Sequence, residues 1–149
     1  MPNICNNWIK ITGNNTSLEK LMSQPFELEL YCPIPENTIN IDEWIDENWG
    51  SKWIENNIIF IYSKNSIETF FNSAWFPPLA FYFKLIELLP DIIIEFEYSG
   101  FMMTFVGHGS LSFNKITNVY EHYTYDSVEE FNSINNCRDW NLNLFNPTY

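Results

Sequence analysis

Positive charge is scarce in this sequence. Seven lysines and arginines stand against nineteen aspartates and glutamates, a formal net charge of -12 over 149 residues. So acidic a chain repels phosphate backbones, and no basic stripe interrupts it, so direct nucleic-acid binding is not expected. Cysteine is scarce too. Cys5, Cys32 and Cys137 are odd in number and lack a C-x-x-C spacing, which fits reduced thiols in a cytoplasm. Long apolar runs are missing: nothing approaches the roughly 18 residues of a membrane span, and Met1 to Ile4 lack the pattern of a signal peptide. Phosphate-binding loops, dinucleotide fingerprints, nucleophile elbows and zinc-protease motifs are missing as well. No catalytic residue, metal or cofactor is therefore assigned, and the reading leans away from an enzyme.

What is abundant is material for a core. Hydrophobic residues make up 46% of the chain and aromatic residues 18%, enough to exclude general disorder and to leave some rings for a surface. The length suits one domain.

Apolar periodicity sets out the elements. Trp8 to Thr12 alternates as a strand and turns at Gly13-Asn14-Asn15. Thr16 and Glu19 make a capping box for a short helix ending before Pro25. Phe26 to Tyr31 reads as an extended edge segment. Asn40 and Glu43 cap a helix to Trp49, with Ile41, Trp44, Ile45, Asn48 and Trp49 on one face and Asp42, Glu43, Asp46 and Glu47 on the other; Gly50 suits its C-terminal cap.

Ile58 to Tyr62 and Ile67 to Ser73 form a hairpin. Pro77-Pro78 opens a helix to about Leu89 that is apolar nearly all round. One sheet face cannot satisfy such a helix, so a second surface is required: either the C-terminal extension or a partner subunit, the latter making a homodimer. Ile92 to Tyr98 alternates clearly. Gly100 turns the chain into Phe101 to Val106, and Gly107-His108-Gly109 is expected to end that pair as a flexible turn. Ile116 to Tyr125 reads as one further strand. Asp126 and Glu129 cap a short helix carrying Val128, Phe131 and Ile134, and the tail from Cys137 to Tyr149 is expected to dock.

Strand, helix, hairpin, helix, strand is the split βαβ pattern of an α+β, ferredoxin-like antiparallel sheet with helices on one face. Residues 1–109 form this domain with a helix inserted near 40–49, and 110–149 form an extension packed on it.

Particular segments add a resemblance. Pro2-Asn3-Ile4-Cys5-Asn6-Asn7-Trp8 running into Ile9-Lys10-Ile11-Thr12-Gly13, then Cys32-Pro33-Ile34-Pro35, Glu47-Asn48-Trp49-Gly50-Ser51-Lys52-Trp53, Phe71-Asn72-Ser73-Ala74-Trp75-Phe76-Pro77-Pro78, Tyr98-Ser99-Gly100 and Phe105-Val106-Gly107 follow in order. Together they resemble the YubB-type ferredoxin-like family of phage and plasmid proteins. Ser51 and Ser73 stand where that pattern often has Thr, Asn72 where it has Asp, and Ile4 where it has Trp. The resemblance implies a ferredoxin-like fold and an origin in a virus or mobile element; it implies no activity.

Two surfaces are candidates for function. Trp49, Lys52, Trp53, Trp75 and Phe76 bracket a core corner or an aromatic pocket able to stack a flat ligand such as a nucleobase, with Lys52 near a phosphate. Asp42, Glu43, Asp46 and Glu47 form either a solvated face or an interaction surface. The leading expectation is a non-catalytic module that binds a host protein through an acidic, aromatic-rich surface, with nucleic-acid mimicry as a specific version. The alternatives are a small-ligand or nucleotide-binding protein, a virion component, or an enzyme using His108 as base. His122 reads as structural. A zinc site from Cys5, Cys32, His108 and His122 has suitable residue types but no supporting spacing.

Overall fold

The structure is a computed structural model and describes residues 3–24, 26–63, 65–115, 118–127, 129–130 and 133–134. Its elements are β1 (Ile4–Thr12), α1 (Asn15–Met22), α2 (Leu28–Tyr31), α3 (Ile41–Asn48), β2 (Ile54–Ser63), β3 (Ser66–Ala74), α4 (Leu79–Leu88), β4 (Ile93–Gly100), a 3-10 turn (Phe101–Met103), β5 (Phe105–Ser112) and β6 (Val119–Thr124). The strands form one antiparallel sheet in the order β2-β3-β1-β4-β5-β6. β3 lies between β1 and β2 and pairs antiparallel with both. That is the split βαβ arrangement, and the fold class is α+β as expected. β5 runs through residue 109, and β6 joins the same sheet beyond it.

Alternate strand residues divide the sheet into two faces. Ile9 and Ile11 of β1, Ile67 and Phe71 of β3, and Ile94, Phe96 and Tyr98 of β4 share a core with Leu18 and Leu21 of α1, Leu28 and Tyr31 of α2, Ile45 of α3, and Phe81 and Leu85 of α4. The helices therefore lie on one face. Burying each such side chain contributes about 1.5–3 kcal/mol before the entropy of ordering it is counted.

α4 buries Phe81, Tyr82, Leu85 and Ile86. Among the described residues, its second surface comes from the segment inserted before the hairpin. The Phe26 and Tyr31 rings pack on Phe81 at 5.6 and 6.3 Å, and Ile45 and Trp49 join the same core. Phe83 and Leu88 stay exposed.

Several local expectations need correction. β1 begins at Ile4 rather than Trp8. The cap of α1 is Asn14, whose Oδ1 accepts from Ser17 N at 2.9 Å, so Thr16 lies inside the helix. Phe26 to Tyr31 ends in one turn of helix rather than an edge strand. The buried residues are Phe26, Leu28 and Tyr31, and the last two are three apart as a helix requires. Residues 107–109 do not end the β4–β5 pair; they lie inside β5. Gly107 and Gly109 face the core opposite Tyr98 and Phe96, and a Cβ on either would overlap those rings. The glycines make room for aromatic packing, and His108 between them points to the opposite face.

The cap after β6 is shifted by one residue. Ser127 Oγ accepts from Glu130 N at 3.1 Å, and Glu130 Oε2 accepts from Asp126 N at 2.9 Å. Val128, Phe131 and the tail from Cys137 to Tyr149 lie outside the described residues, and no helix among the described residues is long and apolar enough to cross a membrane.

The face away from the helices has a second, smaller core, in which Val106 and Tyr125 are buried with Tyr123 and Ile134 packed against them. Trp8, Glu97, His108 and Glu121 form one row across this face, and Trp8 and Glu97 are only 3% and 6% exposed.

Gly50 has φ +75, and its N–H donates to Ile45 O at 3.0 Å to close α3. Gly50→Ala forces a side chain into the left-handed region, so it should lower unfolding stability by about 1–2 kcal/mol, read as a lower urea midpoint at unchanged slope. Asp91 accepts from Ser17 Oγ at 2.6 Å and Asn14 N at 2.9 Å, and these bonds hold its carboxyl below the usual range. A lowered folded-state value means that the stabilisation is complete above about pH 4 and is lost as pH falls through the lowered value. The stability gap between wild type and Asp91→Asn should follow that course in acid titrations.

Candidate functional site

The structure separates the residues of the suspected aromatic pocket. α3 stops at Asn48, and the left-handed Gly50 swings the chain away, so Trp49 and Trp53 do not share a helical face. Trp49 is buried in the core, where its Nε1–H donates to Cys32 O at 2.8 Å and its ring meets Trp44 edge-on at 5.7 Å. Lys52 turns outward, with Nζ 2.9 Å from Asp42 Oδ1. The carboxylate beside it raises the Lys52 pKa. Trp53 is half-buried, and its carbonyl accepts from Ser51 Oγ and Ala74 N.

Trp75 and Phe76 have a different role. Trp75 adopts φ +66, a left-handed conformation that costs a bulky residue about 1–2 kcal/mol. Buried polar groups hold it there. Asn7 is 1% exposed, and its Nδ2 donates to Ser73 Oγ at 2.8 Å, which in turn donates to Phe76 O at 2.7 Å. Trp75 N donates to Asn3 O at 2.8 Å, and Phe76 N to Ala74 O at 2.8 Å. This turn leaves both residues partly in solvent, Trp75 45% and Phe76 54% exposed.

Phe76 does not stand alone. Its ring stacks on Phe105 at 5.5 Å and 11°. Phe105 also meets Tyr98 edge-on at 5.9 Å and His122 at 5.3 Å. Tyr98 lies across the gap at Gly107, so its hydroxyl reaches His122 Nδ1 at 2.7 Å and Tyr120 OH at 2.9 Å; burial raises the Tyr98 pKa. Sequence reasoning did not connect Phe105, Tyr98 and Tyr120 with Phe76. A signal for part of this was present: aromatics spaced two apart at 96 and 98, and glycines spaced two apart at 107 and 109, on adjacent strands.

The acidic face stands where periodicity put it. Asn40 caps α3, accepting from Glu43 N at 3.3 Å and donating to Glu43 Oε2 at 3.0 Å. Asp42, Glu43, Asp46 and Glu47 are all exposed. The apolar stripe is shorter than its spacing suggested, because Ile41 overshoots the core and is 53% exposed. Ile39 just before it is 102% exposed.

The remaining candidates for chemistry lie apart. His108 Nε2 is 2.8 Å from Glu121 Oε2 in the middle of a strand, on the face away from the helices, and Tyr123 OH donates to the same oxygen at 3.1 Å. Cys5 and His122 belong to the helix side, so the four residues of the suspected zinc set do not meet. Among the described residues no three of His, Cys, Asp and Glu are placed to share a metal. Burial pushes the Cys5 thiol up to about 12, far from a nucleophile's range. Iodoacetamide at pH 8 should leave Cys5 unmodified in the folded protein and modify it only after unfolding, whereas half-buried Cys32 reacts earlier; peptide mass spectrometry gives the order.

No family model matches this chain, and no curated protein matches it. Among solved structures, the crystal structure of a protein api92 from Yersinia pseudotuberculosis, of the family DUF1281, is similar to it with a TM-score of 0.48 at 17% identity. The match covers 62% of this chain and 32% of that one, so this chain spans about a third of that protein's length.

Proposed function

We propose that this chain is a non-catalytic interaction module that binds a basic partner protein through the outward face of α3. The observation that carries this reading is the pairing of four exposed carboxylates, Asp42, Glu43, Asp46 and Glu47, with two exposed isoleucines, Ile41 in the first turn of the same helix and Ile39 just before its cap. Charge flanking an apolar anchor is the pattern of a protein-docking surface, in which the anchor supplies burial and the charges supply attraction and orientation. The net charge of -12 adds a long-range pull on cations that weakens with salt.

Imitation of a nucleic-acid duplex has less support. Carboxylates lie on α3 on one side of the sheet and at Glu68, Glu95, Glu97 and Glu121 on the other, and one partner groove does not reach both. The resemblance to phage and plasmid proteins supports an origin in a mobile element and a host protein as the partner.

A lysine octapeptide tests the face with a defined cation. Exposed charge pairs contribute a few tenths of a kcal/mol each, so replacing the four α3 carboxylates with their amides should weaken binding about tenfold at low salt, or about 1.4 kcal/mol in total. A control with Glu19, Glu55, Glu87 and Glu129 changed to Gln has the same net charge and should weaken it much less. Equal weakening in the two variants would contradict a localised site.

A further inference from the structure

We infer that the Trp75-Phe76 turn is the specificity element of this docking surface and takes an arginine side chain of the basic partner in preference to a lysine. The inference rests on the reading of α3 given above and identifies a second contact beside it.

The two regions are joined by the backbone. Trp49 O, at the end of α3, accepts from Phe81 N at 3.2 Å in the first turn of α4. A Cβ built on Gly50 would lie 3.3 Å from both Leu79 N and Ala80 N, so the end of α3 touches the start of α4. Ser51 Oγ donates to Ala74 O at 3.0 Å. Trp75 and Phe76 thus follow directly on Ala74, which is bonded to Ser51, two residues past the α3 cap. The turn that carries the rings therefore begins close to the end of α3.

The chemistry of the turn favours a planar cation. One face of Phe76 is taken by Phe105, and its 54% exposure leaves the other side open to solvent. Trp75 adds a second exposed ring. Guanidinium stacks on such faces better than ammonium does, because it is planar and less strongly hydrated. The net charge of -12 favours a cation over a phosphate, and Lys52, on the segment bonded to the strand before the turn, already faces Asp42. Phe76 is also held in advance. The Asn7–Ser73–Phe76 bonds fix the turn, and the contacts of Tyr98 and His122 with Phe105 fix its support, so little side-chain freedom remains to be lost on binding.

The test compares octa-arginine and octa-lysine by isothermal titration calorimetry at one salt concentration. Wild type should bind octa-arginine about three- to tenfold tighter, as expected for one or two exposed cation–π contacts. Trp75→Leu and Phe76→Leu keep apolar bulk and remove the ring, and urea midpoints confirm that they fold. Both should lower the arginine preference toward unity and leave octa-lysine binding unchanged. An unchanged preference in both variants would overturn the inference even where the α3 variant weakens both peptides. If the α3 variant binds both peptides as wild type does, the underlying reading has failed instead. Adenosine serves as a third probe. Its binding, lost in Phe76→Leu, together with no arginine preference in wild type, would assign the rings to a small planar ligand and overturn the inference.

Discussion

A helix that is apolar on nearly every side sets the requirement that the rest of this structure meets. α4 cannot be satisfied by a sheet face on one side with water on the other, because burying only half of its apolar surface leaves the remainder exposed. The chain meets this with the segment between α1 and the hairpin, which brings Phe26, Tyr31, Ile45 and Trp49 over the helix. Covering α4 decides where α3 lies, and α3 then faces its four carboxylates outward because its opposite side is committed to the core. The start of α4 is also fixed, and the Trp75-Phe76 turn immediately precedes it.

The same packing explains why the strained turn persists. A left-handed tryptophan is unfavourable by an amount comparable to one good hydrogen bond. Asn7 and Ser73 are both buried, so the bonds from Asn7 to Ser73 and from Ser73 to Phe76 O cannot be exchanged for water without leaving polar groups unsatisfied. Strain held by buried polar groups while the side chains it presents stay exposed is typical of binding positions, where presentation of a group outweighs local comfort.

Features that depend on local chemistry were legible in the sequence. The Asn40–Glu43 cap, the glycine at the end of α3, the alternation of β4 and the order of the split βαβ unit all follow from short-range patterns. The caps of α1 and of the helix after β6 were misplaced by one or two residues, and the larger misreadings depend on long-range pairing. Gly107 and Gly109 look like a turn until Tyr98 and Phe96 are placed opposite them, when they become gaps in a strand filled by rings. Phe26 to Tyr31 reads as an extended segment until the core takes up Leu28 and Tyr31 together, with Tyr31 against Phe81 of α4. The tryptophan cluster around Gly50 looked convergent because its members are close in sequence. The left-handed glycine sends Trp49 inward and Lys52 outward, while Phe76 stacks on Phe105 away from both.

The proposed basic partner spans the outward face of α3 and the exposed rings of Trp75 and Phe76, two segments that the buried Ser51–Ala74 bond ties together beneath the surface. Backbone amide chemical-shift mapping with octa-arginine tests this placement most directly. Perturbations confined to residues 39–52 and 75–76 are the predicted result. Perturbations centred on the opposite face, around Glu95, His108 and Glu121, or spread evenly over the acidic surface, would contradict it.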